Sequence, residues 1–60
     1  MSEIKQQIDE LIIELTHANS SIGELAKRQY CLLKQTNATS TDFNDFLDDL
    51  KIAVAPFKNR

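Results

Sequence analysis

The apolar residues between Ile4 and Leu33 repeat with alternating spacings of four and three, and this repeat constrains the fold more than any other feature. At 3.6 residues per turn, such spacing places its members on one face of an α-helix. Read as heptads, the pattern gives a line that we call the heptad seam: Ile4, Ile8, Leu11, Leu15, Ala18, Ile22, Leu25, Gln29 and Leu32. The seam predicts either one long helix or two helices that share a phase.

The segment between residues 16 and 23 bears on this choice. It contains Asn, two Ser and a Gly, which are poor residues for a helix interior, Gly by roughly 1 kcal/mol relative to Ala. Ser21 and Glu24 also have the spacing of a capping box, which marks a new helix start. The uninterrupted phase favours a single helix, because independent helices would match in phase only about a third of the time. A helix about 45 Å long could not bury its stripe alone and would need another copy.

A further helix is predicted after a polar connection over residues 35–40, with Ser40 or Thr41 as its cap. Pro56 disfavours helical geometry at Ala55, so this helix should end there. For the first helix, the predicted N-cap is Ser2. The apolar face of the final helix is formed by Phe43, Phe46, Leu47, Leu50, Ala53 and Val54.

These patterns predict an all-α chain with one domain over residues 1–60. Our interpretation is a small three-helix bundle with helices over residues 3–17, 21–35 and 41–55. The alternative is one long helix over residues 3–35 and a short helix over 41–55, which together form a dimeric helical bundle with coiled-coil packing. In both versions the final helix packs its phenylalanines onto the apolar stripe. A chain this short has little stability to spare, so it relies on efficient helix packing or on a homodimer.

Charge and composition indicate the setting of the chain. The net charge is −2, but the middle third is basic and the flanking segments begin acidic, which suits helices packed antiparallel. Cys31 is the only cysteine, so an internal disulfide is excluded, and no apolar run reaches the length of a membrane span. We therefore expect a cytoplasmic protein without a membrane partner.

Candidate chemistry is sparse. Asp42, Asp45 and Asp49 share a helical ridge, but they lack the loop ligands of a calcium or magnesium site, and a solvated acidic face explains them better. His17 and Cys31 could pair as base and nucleophile, yet no third orienting group accompanies them. The sequence therefore predicts no catalytic, cofactor-binding or metal-binding residues, and a protein that is not an enzyme.

The favoured hypothesis is a non-enzymatic interaction module, such as an adaptor, inhibitor or assembly factor, that binds another protein through an apolar helical face. Its candidate contact residues are Ile13, Tyr30, Phe46 and Phe57. The alternative is a small nucleic-acid-binding regulator that uses the basic cluster of Lys27, Arg28 and Lys34. The four aspartates of the final helix would repel a polyanion, so nucleic acid is the less favoured partner.

Overall fold

The computed structural model describes residues 3–58, which form three α-helices: α1 (Glu3–Ala18), α2 (Ser20–Gln35) and α3 (Ser40–Lys58). The prediction of a small all-α three-helix bundle is confirmed, and the alternative with one long helix over residues 3–35 is wrong. The expected cap Ser2 lies outside the described residues. Among residues 3–58 no helix is long and apolar enough to cross a lipid bilayer.

A single residue, Asn19, separates α1 from α2. Its backbone is extended, with φ −156° and ψ 104°, and its side-chain oxygen accepts hydrogen bonds from the amides of Ser21 and Ile22 at 3.1 and 3.2 Å. Asn19 is therefore the N-cap of α2, because it satisfies amides that have no partner inside the helix. The predicted capping box of Ser21 and Glu24 is wrong, since Ser21 already lies inside the helix.

The start of α3 is capped one residue earlier than predicted. The Thr39 amide donates to Asp42 Oδ2 at 3.0 Å, and the Asp42 amide donates to Thr39 Oγ1 at 3.3 Å. This reciprocal pair is a capping box, with the short acid Asp in the place of the usual Glu. Neither Ser40 nor Thr41 is the cap.

The carboxyl end of α3 also differs from the prediction, because the helix continues through Pro56 to Lys58. Proline lacks the amide hydrogen that would bond the carbonyl of Ile52, but in the last turn this removes only one helical bond. Continuing the helix keeps Phe57 packed against the core. Burial of a large aromatic ring thus outweighs the local preference of proline.

Helix α1 lies between the other two and packs against both, whereas α2 and α3 contact each other much less. The α1 and α3 helices run in the same direction: Lys5 Nζ lies 5.3 Å from the ring centroid of Phe43 near their starts, and Lys58 Nζ lies 3.7 Å from Glu14 Oε1 near their ends. The core consists of Ile8, Ile12, Leu15, Tyr30, Leu47, Leu50 and Val54. As predicted, the phenylalanines of α3 pack against this cluster.

Candidate protein-binding surface

Most of the heptad seam is buried or partly buried in α1, whereas its four members in α2 are all exposed. Ile8 and Leu15 are 0% and 1% exposed, whereas Leu25 and Leu32 are 60% and 55% exposed. The spacing of the seam therefore does not decide which of its members are buried. We call the exposed part the outer seam; its residues are Ile22, Leu25, Gln29 and Leu32.

The residues of α2 that do face the core form a different line on the helix. Gly23 and Tyr30 are buried, and Ala26 packs against the core cluster. Successive members of this line are three and four residues apart, so they lie on one face of the helix, rotated from the outer seam. The broad apolar arc of α2 is thus divided into an inner half that packs on α1 and an outer half that reaches the surface.

Close approach of the backbones at Gly23 fixes this rotation. A Cβ atom built on Gly23 would clash with the Thr16 Oγ1 atom and would lie only 2.5 Å from Thr16 Cα. The Thr16 hydroxyl itself donates to the Ile12 carbonyl at 2.7 Å and so stays against its own helix. Gly23 therefore permits a packing distance between α1 and α2 that any larger residue would prevent. The sequence pattern had counted this glycine only as a weak helix former.

A basic surface adjoins the outer seam at one of its residues, Leu32. Lys27 and Arg28 line a shallow apolar hollow together with Cys31 and Leu32, so the aliphatic stems of the two cations extend the apolar surface. Neither cation forms an ion pair within residues 3–58, and in particular Arg28 does not pair with Glu24, although the two are four residues apart on α2. The charge of Arg28, which lies next to Gln29 on the helix surface, is therefore available to a partner that covers the seam.

The four residues predicted to contact a partner have different environments. Ile13 is 57% exposed on α1. Tyr30 is 5% exposed, and its ring stacks on Phe46 with centroids 6.0 Å apart and meets Phe43 edge-on at 6.4 Å. Phe46 and Phe57 are partly buried against the core. Of the four, Ile13 alone presents most of its side chain to solvent. Ile13 and Tyr30 line one groove between α1 and α2, whereas Phe46 and Phe57 are not part of that groove.

A groove of about 510 Å³ between α1 and α2 contains several of the residues that the sequence had singled out. Its lining includes Ile13, His17, Lys27, Cys31 and Lys34. His17 and Cys31 share this groove, but no hydrogen bond joins them. Among residues 3–58 no three His, Cys, Asp or Glu side chains are placed to hold a metal ion.

The surroundings of Tyr30 in this groove make it a weaker acid than a tyrosine in water. Burial raises the pKa of Tyr30 above its ordinary value of 10.0, and the negative charge of Asp9 raises it further. Both effects disfavour the tyrosinate form. Lys34 Nζ lies 4.5 Å from the centroid of the Tyr30 ring, in the range of a cation–π contact.

The basic cluster proposed for nucleic acid is present on α2 but divided. Lys27 and Lys34 border the groove towards α1, and Lys34 lies over Tyr30. Arg28 borders the apolar hollow beside Leu32 instead. The three cations therefore surround two apolar surfaces and do not form a continuous basic stripe of the kind that follows a phosphate backbone.

The outer seam was missed as a site although its residues were recognised. The sequence did contain a signal for it. Helix α2 has apolar residues along two lines, one with Ile22, Leu25 and Leu32 and the other with Gly23, Ala26 and Tyr30. Together these lines form a wider apolar arc than one neighbouring helix can cover.

Comparison of the chain with family models, with curated proteins and with solved structures finds no match. The surface must therefore be interpreted from its own chemistry.

Proposed function

We propose that this protein is a non-enzymatic protein–protein interaction module, an adaptor, inhibitor or assembly factor, that binds another protein through the outer seam of α2. One observation supports the proposal most directly. Three of the five large hydrophobic side chains that residues 3–58 expose, Ile22, Leu25 and Leu32, lie on this single face. Isolated exposed apolar residues are ordinary, whereas an apolar stripe with a polar rim is typical of interaction sites.

The other two exposed side chains, Ile13 and Ile52, stand on α1 and α3 and are 57% and 71% exposed. They provide internal comparisons for the proposal. Ile13 is the residue that the sequence favoured, and Ile52 is a single apolar residue on an acidic helix. The proposed setting is the cytoplasm, because a reducing compartment keeps the exposed, unpaired Cys31 as a thiol.

Capture of a partner from an extract of the native cells tests this function. We expect the tagged protein to retain a defined protein, and Leu25→Glu or Leu32→Glu to abolish retention, because a carboxylate in an apolar contact is costly to desolvate. Ile52→Glu is the matched control and should leave capture unchanged. Ile13→Glu tests whether the groove between α1 and α2 contributes to binding of the partner. Circular dichroism establishes that each variant remains helical.

Two results would contradict the proposal. One is the absence of any protein above background. The other is a partner whose capture survives both Leu25→Glu and Leu32→Glu, since the outer seam would then not be the contact surface.

A further inference from the structure

The spacing of the outer seam matches the contact line of a packed helix. Ile22, Leu25, Gln29 and Leu32 are separated by three, four and three residues, as are the a and d positions of a coiled coil. Over about 15 Å of helix axis, this line presents alternating side chains into which a second helix can insert its own. Residues 20–35 form helix throughout, so their backbone amides are already bonded and an added strand would find no edge to pair with.

The charge of α2 is opposite to that of the remaining chain. Of seven basic and nine acidic residues in the sequence, α2 holds three basic and one acidic, which leaves four basic and eight acidic residues elsewhere. Lys27 and Arg28 border the apolar hollow at Leu32, and neither forms an ion pair within residues 3–58. Arg28 lies next to Gln29 and four residues before Leu32, so the seam has a positive charge on one side, which is complementary to acidic groups that flank an apolar stripe.

The same charges disfavour a second copy as the occupant. Two α2 helices packed seam to seam would bring two net-positive surfaces together, and like charges placed opposite each other are repulsive. The acidic helix α3 of another copy offers a single exposed large apolar residue, Ile52, too little for the seam. A contact between α3 and α2 would also be heterologous and would propagate from copy to copy.

We infer that the outer seam binds an amphipathic α-helix of a different protein, whose apolar stripe has a three–four spacing and is flanked by Asp or Glu. This inference rests on the proposed function, because it names the partner of the same surface. Leu25 and Leu32 contact the apolar stripe of the partner, and Arg28 pairs with a flanking carboxylate. Gln29, the polar member of the seam, favours a partner with a hydrogen-bonding residue at the same level, as polar residues at a positions do in coiled coils.

Synthetic peptides test the inference with the intact protein. The probe is a fluorescent peptide of about three heptads with Ile or Leu at a and d, one Asn at a central a position, and Glu at every e and g position. A second peptide is identical except for Lys at e and g, and a third has the Glu composition in scrambled order. Like charges at e and g keep each peptide from pairing with itself. Binding is measured by fluorescence anisotropy over a range of salt concentrations.

We expect the Glu peptide to bind about threefold more tightly than the Lys peptide, the equivalent of one exposed ion pair at Arg28. The difference should shrink as salt is added, because screening weakens this pair. The scrambled peptide should not bind. Equal affinity for the Glu and Lys peptides, or binding of the scrambled peptide, would overturn the inference. Tighter binding of a DNA duplex than of the Glu peptide would overturn it in favour of nucleic acid.

Variants of the protein test whether the Glu peptide binds at the outer seam. Leu25→Glu should abolish binding of the Glu peptide, Arg28→Glu should reduce or reverse the preference for Glu over Lys, and Ile52→Glu should change neither. Unchanged affinity of Leu25→Glu would overturn the inference. The mass in solution provides a second measurement, since a dimer that Leu25→Glu dissociates would identify the seam as a contact between copies.

The two proposals fail separately. If capture of the cellular partner requires Leu25 but the Glu peptide binds no more tightly than the Lys peptide, the inference of an acidic helical partner is wrong. The proposed function as an interaction module is then still supported. If capture does not depend on Leu25 or Leu32, the proposed function is wrong whatever the peptides do.

Discussion

The two halves of the heptad seam have the same spacing and opposite environments. In α1 its members Ile8 and Leu15 are buried, and in α2 its members Leu25 and Leu32 are more than half exposed. The number of neighbouring helices explains the difference. Helix α1 has a neighbour on each side, whereas α2 packs chiefly on α1 and little on α3. Amphipathic spacing thus predicts that a segment is helical, but the surrounding helices decide how much of its apolar arc is covered.

Truncating one leucine in each half tests the comparison with the largest expected effect. Leu15→Ala should lower the free energy of unfolding by about 2–5 kcal/mol, because it removes buried methyl groups and leaves a cavity in the core. Leu25→Ala should change it by less than about 0.5 kcal/mol, since an exposed leucine contributes little to the folded state and alanine is the better helix former. Urea unfolding followed by circular dichroism measures both.

Leu32→Ala is a second exposed control for the same measurement and should behave like Leu25→Ala. Equal losses in Leu15→Ala and Leu25→Ala would contradict the comparison. Such a result would mean that the outer seam is covered in solution.

The next effect concerns the residue that sets the rotation of α2. Gly23→Ala would ordinarily stabilise a helix by about 1 kcal/mol. Here we expect a loss of about 1–3 kcal/mol, because the added Cβ meets the backbone of Thr16 and forces α1 and α2 apart. The free energy of unfolding measured with urea gives both the sign and the size.

Ser21→Ala serves as the control, since Ser21 is exposed in the first turn of α2 and its substitution changes helix propensity without a contact to α1. The double variant Thr16→Ala/Gly23→Ala should not recover full stability, because Thr16 Cα remains in the way. A stabilising Gly23→Ala would show that the two helices are not in close contact at this point.

The helices themselves could be predicted from periodicity, and so could the packing of the phenylalanines of α3 on the core. Polar residues near Asn19 indicated the fold-back, although the cap is Asn19 and not Ser21. The conformational preference of Pro56 predicted the wrong end for α3, because the packing of Phe57 on the core extends the helix to Lys58. These errors share a cause: each terminus depends on a competition between local geometry and burial that spacing alone does not describe.

The candidate site was less accessible to sequence reasoning. The arc of α2 is wide enough to bury either half, and spacing cannot choose between them. The choice follows from Gly23, whose missing side chain lets α1 approach on one side only. Tyr30 was assigned to a partner surface for the same reason, since an aromatic residue is suited to an interface or to a core until its neighbours are known.

The smallest effect is confined to alkaline pH and concerns the inner face of α2. Because burial and Asp9 raise the pKa of Tyr30, the folded state holds its proton more tightly than the unfolded state. The resulting stabilisation is fully present below the ordinary pKa of 10.0 and is lost as the pH rises through the pKa of the folded state. Tyr30 is the only tyrosine and the chain has no tryptophan, so tyrosinate absorbance reports this group alone.

Tyr30→Phe separates this effect from the titration of lysines in the same pH range. The variant keeps the buried ring but has no proton to release, so its stability should fall less steeply with rising pH than that of the parent protein. Asp9→Asn should lower the pKa of Tyr30 part of the way towards its ordinary value, because burial is the larger cause and remains. Parallel losses of stability in Tyr30→Phe and the parent would place the Tyr30 hydroxyl in solvent, and the ring would then belong with the exposed half of α2.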